Sequence, residues 1–358
     1  MSVEVRPDFE RIRKAARHEE PDRVPLCEVL IEYPIQSRFL GREVKEVDLA
    51  SQIEFWSKAG YDYIPLTVGM MSPGKVTEES AITRAIRDAM FREEAAADAR
   101  SWNLEYTSFI KNRADLERFP WELAAKMDFG KIEEAATLLP LGMKAIAVSG
   151  KIFTLAWMLM GFNNFSMSLL MDEELVADVF RRVAEIQFQA LDRIFEMPHV
   201  GAVWAVDDLA FGTGPMISPQ AFRDHVFPWY REIAARCHRN GLLFFLHSDG
   251  DLTPLLPDLI DLGLDVLQPV DPTCLDIFAV KEQFGDRLCL AGNVSNELLR
   301  AGTPQEVDAE VRKLIQGLAP GGGYCLGSGN SVPAWAKFEN YEAMRRAAFT
   351  YGAYPVQA

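Results

Sequence analysis

The sequence predicts an α/β fold, a closed (β/α)8 TIM barrel with an insertion after its second strand. Three observations lead there: eight short apolar runs spread over 358 residues, amphipathic segments of helical period behind most of them, and polar residues gathered where the runs end. Strands that alternate with helices form a parallel sheet, and eight such units close on themselves rather than opening into a doubly wound sheet.

The first run is residues 23–31 (RVPLCEVLI), apolar except for Glu28, whose charge must find a partner or be displaced toward the rim. The second is 61–68 (YDYIPLTV) and the third 144–149 (KAIAVS), which runs into Ser149, Gly150 and Lys151. The fourth, 201–209 (GAVWAVDDL), ends in Asp207 and Asp208, and the fifth, 242–247 (LLFFLH), delivers His247, Ser248 and Asp249. Residues 264–270 (LDVLQPV), 287–293 (RLCLAGN) and 323–327 (GYCLG) complete the eight. The helical period is clearest at 172–196 and at 303–319, where Thr303 stands as an N-cap with Glu306 three residues on. Between the second and third strands lie about seventy residues, well beyond a usual βα connection. Residues 70–142 are therefore expected to form an insertion, with ESAITRAIRDAMFREE and ARSWNLEYTSFIKN reading as a strand pair or lid. No Pro/Gly/Ser linker brackets it, so residues 1–358 are expected to be one domain.

Composition excludes several classes of function. A net charge of −15 leaves no basic stripe for a phosphate backbone, which argues against a nucleic-acid partner. The N-terminus has no apolar signal region and no segment stays apolar long enough to span a bilayer, so a soluble, cytoplasmic protein without a membrane partner is expected. Five cysteines (Cys27, Cys237, Cys274, Cys289, Cys325) show no paired spacing and read as reduced thiols.

In a parallel barrel the ligand site lies at the carboxyl ends of the strands. The residues placed there are Glu28 and Glu32, Asp207 and Asp208, His247 and Asp249, Gln268, Asn293, Ser328 and Asn330. His247 and Asp249 are two apart, so both side chains face the same way and form a candidate metal pair. Cys325, Asp208 or Glu28 could complete it around a divalent ion, zinc by preference. The plainer alternative is that Asp249 caps the following helix while His247 bonds a neighbour. GGGYCLGSGNSVP lacks both G-x-G-x-x-G spacing and a P-loop ending, and reads as a tight loop beside a ligand or as mere turn chemistry.

RKAARHEEPDRVPL, DDLAFGTGPMISPQAFRDHVFPWYREI, LHSDGDLTPLLPDLIDLGLDVLQPV and ENYEAMRRAAFTYGAYP together resemble the uroporphyrinogen decarboxylase superfamily over nearly the whole chain. That resemblance implies a (β/α)8 barrel and one of two activities, decarboxylation of a tetrapyrrole or methyl transfer with a corrinoid protein. The decarboxylases carry an MRQAGRY-type arginine motif where this chain has EYPIQSRFLGREV. They carry a rim aspartate where this chain has YIPLTVGM, and a GHG histidine where Ser328 stands. The methyltransferase branch, with a His-x-Cys pair and a later Cys around zinc, is matched at His247, while Asp249 replaces the second ligand and Ser328 falls near the third, three residues after Cys325.

The resemblance therefore implies a methyltransferase moving a methyl group between a small methylated substrate and a separate corrinoid protein; His247 and Asp249, with Asp208 from its place at the rim, are expected to be catalytic. A hard His/Asp site favours an oxygen donor such as an O-methyl ether. No D-x-H-x-x-G corrinoid signature is present, so the corrinoid is expected on a partner. The rival expectations are a tetrapyrrole carboxy-lyase and a non-catalytic small-molecule-binding relative; self-association as a homodimer stays open.

Overall fold

A computed structural model describes residues 6–68, 108–125 and 127–356. Seven parallel strands form its main sheet in the order β1 (Tyr63–Thr67), β2 (Lys144–Val148), β3 (Val200–Val206), β6 (Leu243–His247), β7 (Val266–Gln268), β8 (Cys289–Val294) and β9 (Tyr324–Ser328). A short hairpin, β4 (Ala210–Phe211) with β5 (Gly214–Pro215), follows β3 and was not foreseen in the sequence. The strands read as continuous apolar runs because the sheet is covered on both faces. All of β8 and all but the last residue of β3 are buried.

The helices take the positions their periodicity predicts. Glu173–Phe195 buries Val176, Val179, Phe180, Val183, Ile186 and Ala190, a stripe at three- and four-residue spacing, and opens on Asp172, which accepts a hydrogen bond from the Leu175 amide. Pro304–Leu318 opens with the expected capping box. The Glu306 amide donates to the Thr303 hydroxyl at 3.3 Å and the Thr303 amide donates to the Glu306 carboxylate at 2.8 Å.

The expected first strand differs. Residues 23–31 form no regular strand; they meet the last strand and the loop behind it through two isolated parallel bridges, Leu26 with Leu326 and Ile31 with Val332. The Cys27 amide donates to the Leu326 carbonyl at 2.8 Å, and the Leu326 amide donates to the Pro25 carbonyl at 2.9 Å. On the other side Tyr63 of β1 stands in for a ladder: its hydroxyl receives the Glu28 amide at 2.7 Å and donates to the Glu28 carbonyl at 2.8 Å. Pro25 has no amide hydrogen, so on the β9 side it accepts from Leu326 without being able to donate. Approach to β9 depends on Gly327, where a Cβ would lie 1.9 Å from the Cys27 carbonyl oxygen. One segment thus meets both ends of the sheet, so the sheet is curled.

Most of the expected strand pair or lid lies outside the described residues. Residues 108–142, where described, carry three helices, Arg113–Arg118, Trp121–Ala124 and Gly130–Leu138, of which the last packs on β1 and β2. Among the described residues no helix is long and apolar enough to cross a membrane.

Candidate active site

The site is built where β3, β6 and β7 end side by side. Val206 pairs with His247 and His247 with Gln268, so the last residues of three strands form one row across the sheet. Backbone bonds stitch the loops beyond: the Asp207 amide donates to the His247 carbonyl at 2.9 Å and the Ser248 amide to the Gln268 carbonyl at 3.2 Å. Gly250, at φ +91°, lets the second loop lie against the hairpin, because a Cβ there would sit 2.5 Å from the Ala210 carbonyl oxygen.

Asp208, His247 and Asp249 come together. Each offers one donor atom, and these atoms all lie within 4.8 Å of one another. His247 is buried, with its Nε2 3.8 Å from the Asp249 Oδ1. That oxygen is itself buried and has no hydrogen-bond partner among the described residues. The other oxygen, Oδ2, accepts from the Asn330 side-chain amide, and the Asp249 backbone amide donates to Asp208 Oδ1 at 3.0 Å. Burial pushes the Asp249 carboxyl up to about 6; His247 opposes this, and the neighbouring Asp208 and Asp271 add to it.

Gln268 and Asn330, placed at the rim by the sequence, stand behind this group. The Gln268 Oε1 lies 2.6 Å from His247 Nδ1, and its Nε2 donates to the Asn330 carbonyl at 2.6 Å.

The remaining candidates are engaged elsewhere. Asp207 is fully buried beneath the N-terminus of the helix Phe153–Met160. It accepts from the amides of Ile152 at 2.6 Å, Phe153 at 2.7 Å and Thr154 at 2.7 Å, and from the Tyr230 hydroxyl at 2.5 Å. Its oxygens are spent on anchoring that helix.

Glu28 and Ser328 hold each other at the seam: the Ser328 amide donates to Oε1 and its hydroxyl to Oε2, both at 2.6 Å. Full burial pushes the Glu28 carboxyl up to about 8, against the pull of those two donors. Asn293 is buried with its side-chain amide on the Val270 carbonyl at 2.9 Å. Glu32 precedes the helix Tyr33–Leu40, its backbone amide on the Val332 carbonyl at 2.9 Å.

Cys325 is not part of the group around His247. It lies three residues before the end of β9, fully buried, with its sulfur 4.0 Å from that of Cys289, and both that contact and burial push its thiol far from the thiolate a metal would need.

Zinc fits the residues that do assemble. A nitrogen and two carboxylates make a three-ligand set of the kind zinc takes, and the Asp249 Oδ1 is a buried acceptor without a donor among the described residues. Sequence reasoning missed Tyr63 and Tyr230, whose hydroxyls secure Glu28 and Asp207. Tyr230 lies within an amphipathic helix and Tyr63 within an apolar strand, where periodicity reads both as core.

A family model described as uroporphyrinogen decarboxylase (URO-D) matches residues 110–351. Among solved structures the chain is similar to a methyltransferase from Methanosarcina mazei, at 18% sequence identity and a TM-score of 0.65, over 95% of this chain and 98% of that one. At that identity the likeness is one of fold. No protein of curated function matches. The family match spans well over half of the sequence, and the chain belongs to the uroporphyrinogen decarboxylase family.

Proposed function

We propose that this protein is a methyltransferase that moves a methyl group between a small methylated compound, an O-methyl ether by preference, and a corrinoid carried by a separate protein. The sheet is read as closing into a (β/α)8 barrel of one domain with the site at its rim. The observation that carries the proposal is the Asp208–His247–Asp249 group, with one buried carboxylate oxygen unpartnered beside the imidazole. Breaking a C–O bond leaves its electron pair on oxygen, which is a poor leaving group until a proton or a Lewis acid takes up the charge. When bound, zinc would supply that Lewis acid. Asp208, His247 and Asp249 would hold it, and they would also set the position of the substrate oxygen.

A tetrapyrrole decarboxylase is less well supported. Arg38 and Arg42, the arginines of the segment where the carboxylate-gripping motif would stand, pair with Glu339 and Glu54 on the surface.

The test mixes purified protein with a reduced corrinoid carrier and a panel of methylated oxygen donors, following the corrinoid absorbance. At least one donor is expected to methylate the carrier, and His247→Ala is expected to lower the rate more than about 100-fold while the fold survives. If no donor methylates the carrier and no methylated carrier is consumed in reverse, the methyltransfer reading fails.

A further inference from the structure

The hydrogen bonds behind His247 decide which of its two nitrogens faces the site. The Asn330 carbonyl can only accept, so the Gln268 atom 2.6 Å from it must be the amide nitrogen. The Gln268 oxygen is thereby turned toward His247 Nδ1, also at 2.6 Å, and an amide oxygen can only accept. Nδ1 must carry the hydrogen, which leaves the lone pair of the neutral ring on Nε2, beside the unpartnered Asp249 Oδ1. Asn330 acts twice: its backbone carbonyl orients Gln268, and its side-chain amide holds Asp249 by Oδ2.

We infer that Gln268 and Asn330 are positioning residues that fix His247 as the Nδ1–H tautomer, so that Nε2 and Asp249 Oδ1 meet an incoming ligand as preset acceptors. Neither residue then needs to touch substrate, in contrast to their expected role at the rim. The inference deepens the proposed function, because a preset lone pair is what an electrophilic ligand of that site would require, but its geometry needs neither methyl donor nor corrinoid.

The test is the nitrogen-15 spectrum of metal-free protein labelled at histidine, recorded at about pH 8.5, above the ordinary imidazole range, with the His247 signals assigned by their loss in His247→Gln. Wild type is expected to show Nδ1 protonated and Nε2 bare. Gln268→Leu removes the acceptor and should shift His247 to the Nε2–H form, with zinc affinity by calorimetry falling 10–100-fold, about the effect of losing a partner behind a metal ligand. Gln268→Glu retains an acceptor and should keep the wild-type tautomer. Asn330→Ala keeps its carbonyl and should also keep the tautomer, while zinc binding weakens because Asp249 has lost its donor.

A protonated Nε2 in wild type, or an unchanged tautomer in Gln268→Leu, overturns the inference. If Gln268→Leu does not fold, the wild-type and Gln268→Glu spectra decide alone. The spectra stand whether or not any donor methylates the carrier, so failure of this inference and failure of the methyltransfer reading are separate results.

Discussion

The seam at residues 23–31 and the rim beyond β3 and β6 both put carboxylates in poorly solvated places, and they treat them in opposite ways. At the seam each Glu28 oxygen receives a donor from Ser328. Just behind the rim Asp207 receives four donors. Asp208 and Asp249 are held loosely by comparison, one exposed and the other with a buried oxygen that receives no donor among the described residues. A satisfied buried carboxylate is part of the framework, whereas an unsatisfied one has desolvation still to be offset, and a bound ligand is the ordinary way to offset it. Asp207 and Asp249 fall on different sides of that line, while Asp208, the sequence neighbour of Asp207, is exposed and keeps its contact with water.

The largest expected effect tests the framework side. Asp207→Ala strands the amides of Ile152, Phe153 and Thr154 and the Tyr230 hydroxyl in a buried place. The expected cost is about 3 kcal/mol or more, read as a lower urea midpoint with an unchanged slope. A loss below about 1 kcal/mol would mean that water replaces the carboxylate, and the contrast with Asp208 would collapse.

A pH-dependent effect sharpens the comparison at the seam. The Glu28 carboxyl rises from the 4.5 of a free glutamate to about 8 in the fold, because full burial disfavours its charge. The raised value means that the folded state holds the proton more tightly, so the contribution is fully present below about pH 4.5 and is lost as pH rises through about 8. Glu28→Gln is neutral throughout and should remove that loss. Relative to wild type it should gain on the order of 2–4 kcal/mol between pH 5 and pH 8.5, measured by urea unfolding at each pH. A parallel pH dependence in the two proteins would show that Glu28 ionises in the fold without penalty.

Much of this was legible in the sequence, for definite reasons. Seven of the eight apolar runs became strands because a parallel sheet covered on both faces writes itself as unbroken Val, Ile, Leu and Phe. The eighth, RVPLCEVLI, has the same composition, but Pro25 and the Tyr63 hydroxyl replace ladder bonds, and hydrophobicity carries no trace of that substitution. At the site, the alternation of side chains along a strand was enough to put His247 beside Asp249, while Asp208 needed the pairing of β3 with β6 to bring it there. Cys325 was attractive by chemistry, but a thiol three residues short of a strand end sits about 10 Å below the rim at the usual rise per residue. The donors that consume Asp207 come from residues 152–154 and from Tyr230, contacts that no local pattern announces.

The smallest expected change in stability belongs to Asp208. It is exposed, and among the described residues its side chain accepts one hydrogen bond, from the Asp249 amide. Asp208→Asn retains an oxygen that can accept that bond, so stability should shift by less than about 0.5 kcal/mol. The same change removes a negative charge and a strong donor atom from the group around His247, so zinc affinity, measured by calorimetry on metal-free protein, should weaken by about 10-fold or more. The pairing of these two numbers is the point of the experiment. A framework residue loses stability when it is changed, and a ligand residue loses binding while the fold is untouched. If Asp208→Asn unfolds the protein as readily as Asp207→Ala, the rim belongs to the framework. If it leaves zinc affinity unchanged, the site around His247 has only two ligands of its own.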